Sequence, residues 1–576
     1  MLRNLRLLRR KFNKLDLLCG FMKDVVVDLI VKGSRLKVAD VESLVEVPPR
    51  AEMGDFAFPC FGLAKTLKKS PVVIASELAK KFRKKLPKEI EKVMSEGAYV
   101  NFFVDKGVLA KGVLAKVKKK GFGKLDLGKG KSRVIEYSQP NTHKAFHVGH
   151  IRGTSLGESL ARIFRNCGEK VVQMNYSGDT GMHIAKWIWC YQNFHGDEKL
   201  KSDEAWIAGI YVDAIKRLGD DEELQKEVDA INQKIEDKSD KVINDLWKKT
   251  RGLSIKSWDR IYGELGAHFD FSFFESEFEE EAKIEALELL EKGIAKKDDA
   301  VFMDLEEYGL GVWVLLRKDG TVLYSAKDIA LALKKFKDYR SDNYLVCVGN
   351  EQKMHFEQLV KTLELMGLKS EAANYGVLPF GMVRFPEGKM SSRSGANVLY
   401  SDFLKEVIGV AKAGLKKRGG KGEDDKALKI AIASIKYSML KQGPKKTMIF
   451  DPREDVAFEG DTGPYLLYSY ARASSILRKV KSKAKVAVAE LEDSEIKLLK
   501  KIDSFEDVVG KAYVQLAPHL VANYCFELAK DFNEFYHACP VLGNEKEGFR
   551  LALVGSFRDV MGKGLDLLGI EKLESM

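Results

Sequence analysis

The sequence predicts an α/β fold. A parallel sheet interrupted by a helical insertion follows a small α+β domain and precedes an all-helical one. Three observations carry this. First, Arg133-Val134-Ile135-Glu136-Tyr137 and Val171-Val172-Gln173-Met174-Asn175 are strand-like runs joined by a helix-period segment, Leu156 to Asn166; strand, helix and strand within about forty residues form a βαβ unit, hence a parallel pair. Second, charge and helical spacing take over from about Asp197 to Glu291, after which strand signals return at Ala300-Val301-Phe302-Met303. Third, the pattern beyond about Ser401 is almost purely helical. The resulting segments are 1–110, 111–196, 197–299, 300–400 and 401–576.

At 576 residues the chain is too long for one core. Its 45% hydrophobic content is that of an ordinary globular protein. No apolar run reaches the ~18 residues a membrane span requires. Met1 to Leu15 carry six basic residues and no acid before Asp16, the charge of a transit peptide. They lack serine, and apolar spacing continues into Leu17, Leu18, Phe21 and Val25, which favours a first helix of the folded chain. The seven cysteines are scattered with no Cys-x-x-Cys pair, so neither a disulfide framework nor zinc is expected, and a reducing, cytoplasmic setting fits. Lys+Arg exceed Asp+Glu by 12, consistent with a polyanionic partner.

Taken in order, Val45-Glu46-Val47 is a short extended run stopped by Pro48 and Pro49. Ser70 and Pro71 cap and open a helix through Phe82. Ala98 to Val104 reads as a strand with Tyr99 and Asn101 on one face, an aromatic and an amide that could stack on and read a base. The run Lys116 to Lys131 is a lysine- and glycine-rich linker. Val312 to Leu316 is a further strand, and a helix from Asp328 to Phe336 comes after Val322-Leu323-Tyr324. Tyr344 to Gly349 is another strand, His355 to Leu365 a helix, and a last strand lies between Val377 and Val383 with Pro379 at an edge or bulge. Three helices, around Leu466–Leu477, Leu516–Phe535 and Leu551–Leu568, fill the carboxy-terminal part.

Ser138-Gln139-Pro140-Asn141-Thr142-His143-Lys144-Ala145-Phe146-His147-Val148-Gly149-His150 occupies the first strand-to-helix turn. Backbone N–H groups and the helix dipole gather there, which suits a phosphate-bearing ligand, and Gly149 removes a Cβ from its path. Phe385 to Gly395 holds Lys389-Met390-Ser391-Ser392-Arg393, charge and hydroxyls able to gather round a triphosphate.

The His147-Val148-Gly149-His150 turn and the Lys389 to Arg393 loop, one in each half of an interrupted parallel sheet, resemble the two marker motifs of class I aminoacyl-tRNA synthetases. Within that class the chain resembles the arginyl-tRNA synthetases. Asn175 to Gly181, Tyr324-Ser325-Ala326-Lys327-Asp328, Gly349-Asn350-Glu351-Gln352 with His355, and Asp461 to Tyr465 with Tyr470-Ala471-Arg472 look like that family's blocks, and the likeness covers nearly all of the chain. The resemblance implies a Rossmann-type catalytic domain and ligation of L-arginine to tRNA(Arg) through arginyl-adenylate, with ATP bound alongside Mg²⁺. It implies ATP contacts from His147, Gly149, His150, His355 and Lys389, with Ser391 and Ser392 also catalytic. It places Gln139, Asn141, Gln352 and His150 near the arginine backbone, and Glu136, Tyr324 and Asp328 round its side chain. Tyr99 and Asn101, and Tyr465, Tyr468, Tyr470, Arg472 and Tyr536, are the expected tRNA contacts. A monomer with no membrane association is expected, and no protein metal cage.

One departure stands out. The class usually has a lysine where this chain has Ser392, and the resemblance points to Lys144 as the compensating charge. The competing readings are a synthetase for another amino acid, a small-molecule nucleotidyltransferase, and a catalytically inactive tRNA-binding paralogue.

Overall fold

The computed structural model describes residues 21–34, 36–386, 398–418, 424–480, 486–488 and 490–576. The expected helix at Met1–Leu15 and the loop residues Lys389, Ser391, Ser392 and Arg393 lie outside these residues. The chain divides into two compact units: residues 1–127 with 465–565 and 572–576, and residues 128–464 with 566–571.

The first part of unit 1 is an antiparallel sheet of β1 (Phe56–Pro59), β2 (Ile90–Glu96) and β3 (Tyr99–Val104), in the order β1-β3-β2. Helix α1 (Pro71–Arg83) starts where predicted: the Ser70 hydroxyl accepts from the Val73 N–H at 3.4 Å, and Pro71 opens the first turn. Its Phe82 ring meets Phe102 of β3 at 5.9 Å. The predicted pair on β3 is split. Tyr99 is half-buried, edge-on to Phe61 at 5.6 Å, while Asn101 is only 3% exposed. Asn101 is flanked by β1 and β2 on either side, so its amide belongs to the interior of the little domain.

Unit 2 is built on β4 (Ser132–Glu136), β5 (Lys170–Ser177), β6 (Phe271–Phe274), β10 (Asn343–Gly349) and β11 (Tyr375–Phe380), all parallel, in the order β11-β10-β4-β5-β6. Pro379 falls on the edge strand, where a missing N–H costs nothing. The order reverses between β4 and β10, and such a switch point opens a crevice at the carboxyl ends of the strands. The connection from β4 to β5 is α2 (Val148–Asn166), which starts at the His-Val-Gly-His motif itself.

Three differences from the sequence reading bear on the site. Helices α3 (Met182–Cys190) and α4 (Glu204–Leu218), the helix Glu222–Glu236 and α5 (Lys241–Leu265) form the insertion, but it ends early. Residues 271–274 return to the main sheet as β6. The strands expected to resume the sheet instead form a separate antiparallel one, β7 (Lys296–Lys297), β8 (Val301–Asp304) and β9 (Val312–Leu316). Helix α6 (Tyr324–Tyr339) starts four residues before its predicted onset, so Tyr324 and Asp328 share one helical face. Helix α7 (Lys353–Leu365) matches its prediction.

Residues 401–464, expected with the carboxy-terminal helices, belong to unit 2. The fully buried Arg152 of α2 explains part of this. Its guanidinium donates to the carbonyls of Gly381, Met382, Pro444 and Lys446 at 2.6–3.0 Å, tying this segment and β12 (Val383–Arg384) to the motif helix. β12 pairs with β13 (Met448–Ile449). Helices α8 (Tyr400–Lys417) and α9 (Asp424–Leu440) complete this layer.

The later part of unit 1 is helical, from α10 (Gly463–Arg478) through Asp493–Asp503, Phe505–Gln515, His519–Ala538 and Glu547–Leu567. Phe532 and Phe557 stack at 3.8 Å where the last two helices meet. Among the described residues no helix is long and apolar enough to cross a membrane.

Candidate active site

The turn after β4 is held in an unusual backbone. Ser138, Gln139 and His143 have φ of 82°, 55° and 62°. L-residues avoid this left-handed region, and such strain persists where surroundings over-determine it. Here they do. Gln139 N–H donates to Asn175 Oδ1 at 3.0 Å, Thr142 N–H to the Gly178 carbonyl at 2.8 Å, and His143 N–H to Ser254 Oγ at 3.1 Å. Ser138 Oγ accepts from Thr154 and meets Tyr262 Oη, both at 2.9 Å.

His147 caps α2. The Gly149 N–H donates to His147 Nδ1 and the His147 N–H donates to His150 Nδ1, both at 3.1 Å, and the rings stack at 3.8 Å. Each Nδ1 is therefore an acceptor, which leaves the proton of each neutral ring on Nε2. Burial first, and then Lys144, pushes His147 below the ordinary histidine value; burial, His147 and Lys144 push His150 well below it. The glycine of the motif answers a need nearer than a ligand. A Cβ at Gly149 would lie 2.9 Å from His147 Cε1. Lys144 is lowered by burial, with Glu275 opposing and Lys186 adding, and its Nζ sits 5.6 Å from the Tyr211 ring centroid.

The described residues on both sides of 387–397 are tied to this turn. Gly381 and Met382 are held by Arg152. Leu399 bridges His147, and the Tyr400 N–H donates to the Phe146 carbonyl at 3.0 Å.

Beside the turn lies a cluster of acids. Tyr176 of β5 is half-buried, but its hydroxyl is shut off from solvent and has no hydrogen-bond partner among the described residues. Burial and then the charges of Asp328, Glu275, Glu136 and Asp179 push it well above the ordinary tyrosine value. Gly178 lets the walls close: a Cβ there would sit 2.2 Å from Asn141 Oδ1 and 3.2 Å from Glu275 Oε1. The Glu275 carboxyl is pushed up to about 7 by burial above all, then by Asp328 and Asp179 against Lys327. Thr180 Oγ1 donates to Glu275 at 3.2 Å and accepts from Lys327 at 3.1 Å.

Asp328 and Glu136 have different partners. Asp328 Oδ2 meets His355 Nε2 at 2.5 Å, and the Trp313 indole N–H donates to His355 Nδ1 at 3.1 Å. An indole only donates, so His355 presents Nε2–H to Asp328. Tyr324, 56% exposed, lies on the His355 ring at 4.8 Å. Both nitrogens of His355 are thus taken. Its expected ATP contact is replaced by the placing of Asp328. Glu136 accepts from Gln139 Nε2 at 2.6 Å and pairs with Lys335, both partners deeply buried. Burial by itself would lower Lys335; Glu136 and Tyr375 outweigh it and leave it raised. Gln352 is exposed just beyond β10.

In unit 1, Tyr465, Tyr468 and Arg472 share a face of α10. Arg472 lies 4.6 Å from the Tyr468 ring and 4.8 Å from that of Tyr536. Tyr470 points the other way: it is buried, its hydroxyl donating to Glu574 at 3.0 Å, because the two residues from Tyr468 turn the helix by roughly 200°. It leaves the predicted surface set.

The sequence reading missed Glu275 and Trp313. Asp179 and Thr180 lay in a block it singled out without a role, and the aromatic run Phe271-Ser272-Phe273-Phe274 was the available signal for the strand that delivers Glu275.

A parallel sheet entered by helices, with a histidine turn at its switch point and a helical appendix, is the construction of a class I aminoacyl-tRNA synthetase. The family model described as tRNA synthetases class I (R), catalytic domain, matches residues 112–451. The DALR anticodon binding domain matches 466–576, and the arginyl tRNA synthetase N terminal domain matches 22–104. The arginine–tRNA ligase of Clostridium perfringens is 36% identical over 96% of this chain and 100% of its own length. That of Clostridium beijerinckii gives the same identity and coverage. The structure of Thermus thermophilus arginyl-tRNA synthetase superposes with a TM-score of 0.78 at 26% identity, covering 96% of this chain and 99% of that one. The chain belongs to the arginyl-tRNA synthetase family.

Proposed function

We propose that unit 2 activates L-arginine with ATP, taken as its magnesium complex, and that the chain then charges tRNA(Arg). An oxygen of the arginine carboxylate attacks the α-phosphate, and the bond to pyrophosphate breaks. The 2′-hydroxyl of the terminal adenosine next attacks the carbonyl carbon of arginyl-adenylate, its proton is lost, and AMP leaves. Positioning and charge stabilisation carry both steps.

The cluster of acids round the unpartnered Tyr176 hydroxyl, on the strand that follows the motif helix, carries this reading. A guanidinium supplies the planar cation and donors that Asp328 lacks. Asp328 and Glu275 face its charge, Tyr324 its plane, and Glu136 closes the far wall. Gln139, Asn141, Gln352 and His150 remain the proposed contacts of the arginine backbone. His147 and His150 offer Nε2–H donors toward ATP, with Gly149 between them. Lys389, Ser391 and Ser392 are proposed to join them, supported by the tethered flanks of their loop.

Lys144 supplies the charge that Ser392 does not. Lys144→Ala should slow adenylate formation by roughly two to three powers of ten, as loss of an oxyanion-type donor does. A near-normal rate would sink this role.

Tyr465, Tyr468, Arg472 and Tyr536 are the proposed anticodon contacts, and Tyr99 of β3 a further tRNA contact. We read the protein as a cytoplasmic monomer. ATP–pyrophosphate exchange, with and without tRNA and with each standard amino acid, tests the whole. Exchange with arginine alone is expected; exchange with another amino acid or none at all overturns it.

A further inference from the structure

The helical insertion contains a cluster that the proposed catalysis does not use. Cys190 ends α3, His195 ends the single π turn Tyr191–His195 that continues it, and Asp213 lies on α4. One ligand-capable atom from each of the three falls within 4.8 Å of the other two. We propose that these three side chains form a binding site for one borderline divalent cation of the zinc class, with a water completing a tetrahedron. The ligands are widely spaced in sequence and lack a Cys-x-x-Cys pair, which is why sequence spacing predicts no zinc.

The spacing fits the chemistry. A tetrahedral ion with bonds of about 2.0–2.3 Å keeps its ligand atoms roughly 3.3–3.7 Å apart. Here Cys190 Sγ is 3.7 Å and His195 Nε2 is 3.1 Å from Asp213 Oδ2. Thiolate, imidazole and carboxylate together suit zinc or cobalt rather than magnesium or calcium, which prefer oxygen alone.

The outer partners are also present. A metal-bound histidine orients itself by donating its other ring N–H to a carboxylate. His195 Nδ1 lies 2.7 Å from Glu198 Oε1, and the Trp206 indole holds Glu198 Oε2 at 2.7 Å. Arg217, laid on the Phe194 ring at 4.0 Å, donates to Asp213 Oδ2 at 2.7 Å, the oxygen the ion would take, so binding requires the guanidinium to move to the other carboxylate oxygen. A π turn at this point is a further mark, since single π turns inside α-helices gather at functional sites. On binding, the thiol proton and the proton shared between His195 and Asp213 pass to solvent, and metal–sulfur and metal–nitrogen bonds replace them.

The ion would brace two helices that reach the catalytic turn. Trp187 of α3 packs edge-on against His143 at 5.1 Å, and Tyr211 of α4 lies under Lys144. The site is a clamp on the insertion, not a reacting centre.

The test is cobalt titration of the full chain after chelator treatment, without nucleotide. One equivalent should raise a thiolate-to-cobalt charge-transfer band in the near ultraviolet, reversed by zinc. Cys190→Ser should abolish the band, and Cys19→Ser should keep it. Glu198→Gln should weaken binding about 10–100-fold, the usual cost of losing an outer partner. His195→Ala provides a second variant should Cys190→Ser fold poorly, and should likewise abolish stoichiometric binding. No band in the wild type, or a band that survives Cys190→Ser, overturns the proposal and leaves an ion-pair network closed by Arg217.

Discussion

Glu136 and Asp328 both lie in the interior of unit 2, and both are the kind of carboxylate a guanidinium would seek. Their surroundings differ. Glu136 meets an ammonium, Lys335, in a pair with both partners at about 3% side-chain exposure. Asp328 meets a neutral imidazole that donates one hydrogen bond and brings no positive charge. The first carboxylate has its counter-ion built into the fold. Among the described residues the second has no lysine or arginine paired with it, although Lys327 acts on Glu275 beside it. On the proposed reading, the charge of Glu136 is already met within the fold and that of Asp328 is left for a ligand.

The largest expected effect lies on the Glu136 side and is one of stability. Glu136→Ala strands the Lys335 ammonium in the interior and should cost about 3–5 kcal/mol of unfolding free energy, read as a fall in the urea midpoint. Glu136→Met with Lys335→Met, which removes both charges, should restore most of it. If that double variant is stable yet no longer binds arginine, Glu136 serves the ligand as well, and the contrast with Asp328 collapses.

On the Asp328 side the effect is one of binding. Asp328→Asn keeps the shape and removes the charge. Truncating one partner of a buried charged contact costs about 2–5 kcal/mol, so the KM for arginine should rise by roughly two to three powers of ten in the tRNA-supported exchange reaction. The KM for ATP and the urea midpoint should hold. A fall in stability comparable to that of Glu136→Ala would place Asp328 in the fold's own bookkeeping.

Glu275 sharpens the comparison through pH. Burial, with Asp328 and Asp179, raises its carboxyl from 4.5 to about 7. A raised carboxyl holds its proton more tightly in the folded chain, so its contribution to stability is present below the unfolded value and lost as pH rises through about 7. Binding of a cation runs the opposite way: it favours the carboxylate and expels the proton. Arginine affinity should therefore strengthen about tenfold from pH 6 to pH 8, and Glu275→Gln should flatten that slope. Titration of arginine by calorimetry in two buffers of different ionisation heat would count the proton; a flat profile in the wild type removes Glu275 from the pocket.

The two acids also measure what the sequence makes legible. The strand-turn-helix at residues 133–166 can be read from apolar spacing and glycine, since the information is local. The sequence marks Glu136 and Asp328 as acids near strand ends, but their different partners, Lys335 and His355, arrive from elsewhere in the chain. Glu275 is hidden because β6 is short and follows a long charged helical stretch whose period dominates. Tyr470 and Asn101 show the reverse problem. Residue type suggested a surface for RNA, and helix phase or strand burial turned each inward. The left-handed backbone at Ser138, Gln139 and His143 gives no signal in residue type, since none of the three is glycine.

The smallest effect tests whether the neutral imidazole is what places Asp328. Trp313→Phe keeps the aromatic bulk on β9 and removes only the indole N–H. His355 Nδ1 then loses its donor, and the ring is no longer held in the form that presents Nε2–H to Asp328. A lost hydrogen bond of this kind is worth about 0.5–1.5 kcal/mol, so the KM for arginine should rise roughly three- to tenfold while kcat and the KM for ATP stay put. Because Trp313 would act only through Asp328, the substitution should add nothing once Asp328→Asn is present. Full additivity in that double variant would mean that Trp313 supports the small sheet and not the pocket, and Asp328 would then need another reason for standing without a counter-ion.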